Sequence, residues 1–314
     1  MKGLALARSY YETYGKEMLF SHFADKLPFL AVGLVGEGSE CEGFDDALSQ
    51  DHDFEPGFCI WLSRKDYDAF GFPLERAYAK LPKEHMGFRR QSLAPSGKRH
   101  GVLVREDFYS RFLGSEEPPS APVSWLHIPS YALRAATSGE VFLDGDGEFS
   151  RIREILKEGY PLDVRKKLLA AHALAMTQSG LYNYPRLVKR EESGAAQLAV
   201  FAFVRHAIST VYLLNNVYEP FYKWAFRGMR TLSRFASLAD TLTGLCELGN
   251  EMRVAKDKAE VIENICLLFC KAFTENGFSE EESEELSAHA YAVQRGIKNP
   301  ILRHMHILDG ISEI

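Results

Sequence analysis

Near Glu148 the 314-residue chain changes its hydrophobic period, and that change constrains its architecture more than any other feature. Before it, apolar residues come in short runs closed by Gly, Pro or a charge. After it, they recur at mixed three- and four-residue spacing through long segments. Short runs suit strands buried in a sheet, and the longer spacing keeps one stripe of a helix against a core. The expected fold class is α+β. A mixed-sheet domain spans residues 1–147, and an all-helical domain spans 148–314 and closes a shared cleft. At 46% hydrophobic residues, the chain can supply two cores of ordinary size.

The opening segment sets Leu4, Tyr10, Tyr11, Tyr14, Met18, Leu19 and Phe23 on one face, which predicts an amphipathic helix. FLAVGLVG predicts a buried strand ending at Gly36. FCIWLS predicts a second strand after Pro56-Gly57, followed by a helix from about Arg64 to Lys80. HGVLVRED predicts a third strand behind the Ser-Gly-Lys loop at 96–98, and the Pro-rich SEEPPSAPVSWLHIPS a connector. Farther on, FSRIREILKEGY, PLDVRKKLLAAHALAMTQSG and AAQLAVFAFVRHAISTVYLL predict long helices. Pro161 and Gly180 stand where a first-turn Pro and a C-terminal Gly would bracket one of them.

Charge distribution narrows the function. A net charge of −6 argues against a nucleic-acid partner, because neutralising phosphates needs a basic surface. Residues 31–55 hold eight Asp or Glu and no Lys or Arg, whereas residues 161–234 hold eleven Lys or Arg against four acids. The first segment suits cations and the second phosphates. The run SEEESEELS reads as a solvated helix start. The N-terminus lacks an apolar signal core, and no uninterrupted apolar run reaches the roughly 18 residues that a bilayer requires. Five cysteines, odd in number and scattered, fit a reducing compartment. The expectation is a cytoplasmic protein with no membrane partner. Cys266 and Cys270, one helical turn apart, read as buried packing, since no second pair is placed to complete a metal clip.

The chemistry concentrates in Gly36-Glu-Gly-Ser-Glu-Cys-Glu-Gly43 and in Asp51-His-Asp53, a dozen residues after Ser39. Gly38 has no side chain to keep a triphosphate from its backbone, and Ser39 offers an amide and a hydroxyl to phosphate oxygens. On a strand, Asp51 and Asp53 point to the same side and His52 points away. Two co-directed carboxylates suit Mg2+ (or Mn2+), which takes few protein ligands and completes its shell with water and substrate phosphate. The density of acids implies a compensating cation.

A Gly-Ser turn followed by an acidic pair resembles the nucleotidyltransferase superfamily that contains aminoglycoside nucleotidyltransferases and polymerase beta. GEGSECEGFDD, SQDHDFEPGFCIWL, SGEVFLDGDGEFSRIREIL, YPLDVRKK and NVYEPFYKWAFR together resemble the DUF4037 family of nucleotidyltransferase-like proteins across most of the chain. The resemblance implies a polymerase beta-like first domain, with Gly38 and Ser39 as the phosphate-binding turn and Asp51 and Asp53 as metal ligands and catalytic groups. It implies a third carboxylate on a later strand, for which HGVLVRED offers Glu106 ahead of Asp107. Resemblance and charge together point to Lys223, with Arg190 and Arg186, for triphosphate contacts.

Other readings are weaker. Asp45, Asp46, Asp51 and Asp53 lack the Gly and terminal Glu of a calcium loop, and GLVGEG lacks the dinucleotide-binding order. Arg165 and His172 share a helix face at a spacing seen in helical ribonuclease toxins, but such a pair is a common accident. His206 reads as a hydrogen-bonded core histidine, and Tyr218 and Trp224 as core aromatics that could also stack on a base. The expected function is a Mg2+-dependent transfer of a nucleoside monophosphate from an NTP, ATP foremost, to a hydroxyl of a small molecule or protein, releasing pyrophosphate. The alternatives are an inactive nucleotide-binding or interaction module of the same fold and, behind it, a nucleotide-sugar glycosyltransferase.

Overall fold

A computed structural model describes residues 1–50, 54–90 and 99–311. The fold is mixed α+β, with a small mixed sheet in the N-terminal part and helices after it. The chain divides into two compact units, Met1–Pro119 with Ile128–Glu158 and Ser120–His127 with Gly159–Ile314.

In the first unit, α1 (Gly3–Tyr10) and α2 (Lys16–His22) join through a π-helical turn at Tyr11–Gly15. Then come β1 (Leu30–Leu34), α3 (Ser39–Glu42), β2 (Cys59–Leu62), α4 (Arg64–Asp66), α5 (Phe72–Ala79) and a short hairpin of β3 (Glu84–His85) and β4 (Phe88–Arg89). They are followed by β5 (Gly101–Val104), α6 (Arg105–Leu113), α7 (Pro122–Trp125, which belongs with the second unit), α8 (Ser130–Thr137), β6 (Glu140–Asp144) and α9 (Glu148–Lys157). Among the described residues the main sheet has the order β5-β2-β1-β6. Strand β1 runs antiparallel to β2 and β6, and β5 runs parallel to β2.

Alternation along the strands assigns the two faces. Leu30, Val32, Ile60, Leu62 and Val102 pack with Tyr10, Tyr11, Leu19, Phe58, Leu74 and Tyr78. Trp61 points the other way and stacks on Phe149 of α9 at 4.1 Å, with Phe108 edge-on at 5.4 Å. Each such buried side chain contributes on the order of 1.5–3 kcal/mol. The first unit therefore carries α9, beyond residue 147 at which the hydrophobic period divides the chain.

The third expected strand is shorter than its apolar pattern suggests. It ends at Val104, and Arg105, Glu106 and Asp107 open α6. Acids are favourable in a first helical turn, where they face the positive end of the dipole. A Glu106 carboxylate oxygen also accepts the Arg64 backbone N–H at 2.9 Å, at the start of α4.

The second unit contains α10 (Leu162–Met176), α11 (Tyr184–Lys189), α12 (Ser193–Leu214), α13 (Tyr222–Met229), α14 (Leu238–Glu247), α15 (Met252–Glu275), α16 (Leu286–Arg295) and α17 (Pro300–His304). Pro161 precedes α10 as expected, but Gly180 ends no helix: a π-helical segment at Thr177–Asn183 carries the chain straight into α11. A Cβ at Gly180 would lie 2.5 Å from the Phe203 ring and 2.8 Å from an Ile262 methyl. The glycine is there for close approach of α12 and α15. Helix α12 is, among the described residues, the one helix long and apolar enough to cross a bilayer, and 72% of that stretch is buried inside the fold.

Candidate functional site

The turn after β1 has the backbone its glycines imply. Gly38 sits at φ 125°, a conformation that L side chains rarely adopt, and Ser39 follows as the first residue of α3. The Ser39 carbonyl accepts the amides of Phe44 at 2.8 Å and Asp45 at 3.2 Å, closing the loop back on itself. From behind, Ser138 Oγ donates to the Gly36 carbonyl at 2.8 Å and the Gly139 amide to the Cys41 carbonyl at 2.9 Å. Buried Arg153 of α9 then holds the carbonyls of Ser138 and Gly139 at 3.2 and 2.7 Å, and desolvation lowers its pKa. The segment entering β6 thus braces the turn.

Strand directions decide which side chains can gather there. Because β1 is antiparallel to β2 and β6, its C-terminal end lies beside the starts of those strands, and β5 starts beside β2. Glu55, Arg99, His100 and Glu140 precede or open these strands, so they share the edge of the sheet with Gly38. Glu106 follows Val104, which pairs with Leu62, itself opposite Leu30. It belongs to the far edge, about 13 Å away along four strand residues. The structure does not bring Glu106 to Gly38 and Ser39. Asp51 and Asp53 lie outside the described residues, as does the 96–98 loop.

The density of acids has sources of compensation that the sequence did not reveal. Glu37 pairs with Arg111 at 2.5 Å, Glu42 with Arg134 at 2.7 Å, and Glu40 with Arg99. Glu55 meets His100 at 3.4 Å. Asp45, 2% exposed, accepts the Gly3 amide at 2.7 Å at the start of α1 and faces Lys2 at 3.3 Å. Asp46 accepts the amides of Leu48 and Ser49 in a local turn. Cations from elsewhere in the chain therefore answer Glu37, Glu40, Glu42 and Asp45. Among the described residues no three His, Cys, Asp or Glu form a metal-binding group.

Sequence reading missed Arg99, Ser138, Glu140 and Arg153. Only strand direction could have found Arg99 and Glu140, since each stands at the head of a strand whose partner is far away in the chain.

Within the second unit, Lys223 and Arg190 do not converge. Arg190 caps α11 just before α12, and Lys223 lies on α13, whose Ala225 carbonyl accepts Tyr212 OH near the far end of α12. Nineteen residues of helix separate Ser193 from Tyr212, about 29 Å. Lys223 lies over Trp224, and Arg186 over Tyr182. Arg165 donates to the Leu213 and Leu214 carbonyls at 2.6 and 3.1 Å, which makes it a cap for α12. His172 Nδ1 lies 3.0 Å from His206 Nδ1, and burial holds both imidazoles below their usual pKa, His206 at about 4. The ribonuclease-like Arg–His pair is thus taken up by structure. Tyr218 is buried against Tyr160. Cys266 and Cys270 are buried free thiols pushed up to about 12 and about 11.

No curated protein matches the chain. Residues 125–225 match the family model described as a domain of unknown function, DUF4037, a narrower stretch than the resemblance over most of the chain. That match takes in the brace of Ser138 and Arg153 and the helices from α8 into α13, and stops short of the Gly38 turn.

Proposed function

We propose that the first unit is a nucleotidyltransferase-type unit that seats an NTP triphosphate on Gly38 and Ser39 and moves the nucleoside monophosphate to a hydroxyl acceptor, releasing pyrophosphate. The observation that carries this reading is the turn itself. A glycine with positive φ stands in the turn that follows inner strand β1, carries no side chain to exclude a phosphate, and shares its edge with the approaches to β2, β5 and β6. Asp51 and Asp53, just before β2 in sequence, would hold Mg2+ (or Mn2+), which when bound neutralises triphosphate charge. Ser39 would orient phosphate oxygens, and catalysis would be mainly positioning. For the third acid, strand direction favours Glu140 over Glu106.

A second reading is a nucleotide-binding module without transfer. The placement of Glu106 on the far edge supports it, as does the engagement of Glu140 by Arg8.

One experiment separates them. Calorimetric titration of each NTP, with and without Mg2+, is expected to show metal-dependent binding by the wild type and its loss in the Asp51→Asn, Asp53→Asn double variant. A folded wild type that binds no NTP would remove both readings. Pyrophosphate release across an acceptor panel, lowered by Glu140→Gln and spared by Glu106→Gln, identifies the transferase; binding without release identifies the module.

A further inference from the structure

Arg99 precedes β5 and reaches back across the sheet edge to the Gly38 turn. Its Nη2 donates to the Glu37 carbonyl at 2.6 Å and to the Glu40 carboxylate. Both side chains are largely enclosed, at 21% and 12% exposure. A Cβ at Gly38 would run into the Arg99 guanidinium and would stand 2.5 and 2.6 Å from the two Glu40 carboxylate oxygens. A guanidinium and a carboxylate are therefore held directly against the glycine. The backbone of Arg99 is itself pinned, because its carbonyl accepts Cys59 Sγ–H at 3.1 Å and Gly101 N donates to Phe58 O at 2.9 Å.

Resting on the nucleotide reading above, we propose that Arg99 is the phosphate-binding cation of the turn and that Glu40 is its internal occupant, exchanged for a triphosphate oxygen when nucleotide arrives. The chemistry of the two partners is interchangeable. Carboxylate and phosphate both accept charge-assisted hydrogen bonds from guanidinium N–H groups, and both fit its planar fork. Glu40 and a phosphate on Gly38 cannot occupy the same space or share the same donors, so nucleotide binds against a resident anion. Three neighbouring cations are unsuited to the role: Arg111 is half-exposed on Glu37, Arg134 holds Glu42 and Lys2 holds Asp45.

The test is calorimetric titration of the full chain with ATP and, separately, with inorganic tripolyphosphate, each with Mg2+. Wild type is compared with Glu40→Gln, Arg99→Gln, Arg99→Lys and the Glu40→Gln, Arg99→Gln pair, with circular dichroism as the check on folding. Glu40→Gln keeps a neutral acceptor for Arg99 and removes the competing charge, so it is expected to tighten both ligands by about fivefold or more. Arg99→Gln is expected to weaken them by about tenfold or more, with Arg99→Lys between. In the double variant the gain from Glu40→Gln should vanish, since its competition acts through Arg99. Binding by wild type that neither single change alters overturns this proposal and leaves the nucleotide reading standing. Absence of binding by wild type and Glu40→Gln alike overturns both.

Discussion

The Gly38 edge of the first unit and the polar interior of the second treat charge in opposite ways. At the edge, acids meet arginines in side-chain ion pairs that run from half-exposed, as in Glu37–Arg111, to largely enclosed, as in Glu42–Arg134. In the helical unit the charges are sealed. Lys258 and Lys167 are fully buried, their ammonium groups bound by backbone and amide oxygens, and His172 and His206 are buried against each other. An exposed ion pair is worth little and can exchange partners with a ligand, whereas a buried charge with fitted acceptors is costly to disturb. The first pattern is what a binding edge needs. The second is what holds helices in register.

The largest break in this contrast should come from Lys258→Met. Its Nζ serves Gln197 Oε1 and the Leu248 carbonyl at 3.0 Å and Asn250 Oδ1 at 3.1 Å, and removal strands these acceptors in the interior. The helical unit should lose about 3–5 kcal/mol, read as a lower unfolding midpoint, while the first unit is unaffected. A midpoint unchanged by the substitution would mean that the sealed network is not what stabilises these helices.

Acid should act next. His172 and His206 have folded pKa values below the ordinary 6.5, so below that pH the unfolded chain binds more protons than the folded one. Stability from this pair is fully present above pH 6.5, falls as pH drops, and stops changing below about 4 for His206. The loss from His206 alone is on the order of 3 kcal/mol by pH 4. Chemical denaturation of the wild type and of His206→Phe between pH 7 and 4 checks it; equal slopes in the two would refute the assignment.

The smallest effect belongs to the edge. Arg111→Ala removes a pair in which both side chains are more than half exposed, and stability should move by about 0.5 kcal/mol or less. A loss several times larger, in the same denaturation series, would make the edge a structural network and erase the comparison.

Much of the fold is legible in local pattern. The opening helix, the strands at β1 and β2 and the helix from Arg64 follow from spacing and punctuation, because side-chain period is set by backbone geometry within a few residues. Boundaries set by tertiary partners were not legible. HGVLVRED has strand character to Val104, yet a contact with Arg64, 42 residues away, joins Glu106 to the start of α4. Gly180 has the residue type of a helix end, yet the proximity of Phe203 and Ile262 explains it. The same holds for the site: Gly38 and Ser39 were visible as a turn, while Arg99 and Glu140 were not, because only strand direction brings them to it.

By itself the sequence determined the α+β class, the positions of most elements, the Gly-Ser turn and the segment dense in acids. These rest on propensity, period and composition, which act over short stretches of chain. It took the folded chain to bring arginines from distant segments to Glu37, Glu40 and Glu42, to put Glu106 on the far edge, and to set Arg99 and Glu40 together against the glycine. Each of those depends on which strands pair and in which direction, and that is fixed by burial of both sheet faces, a property that no single segment carries.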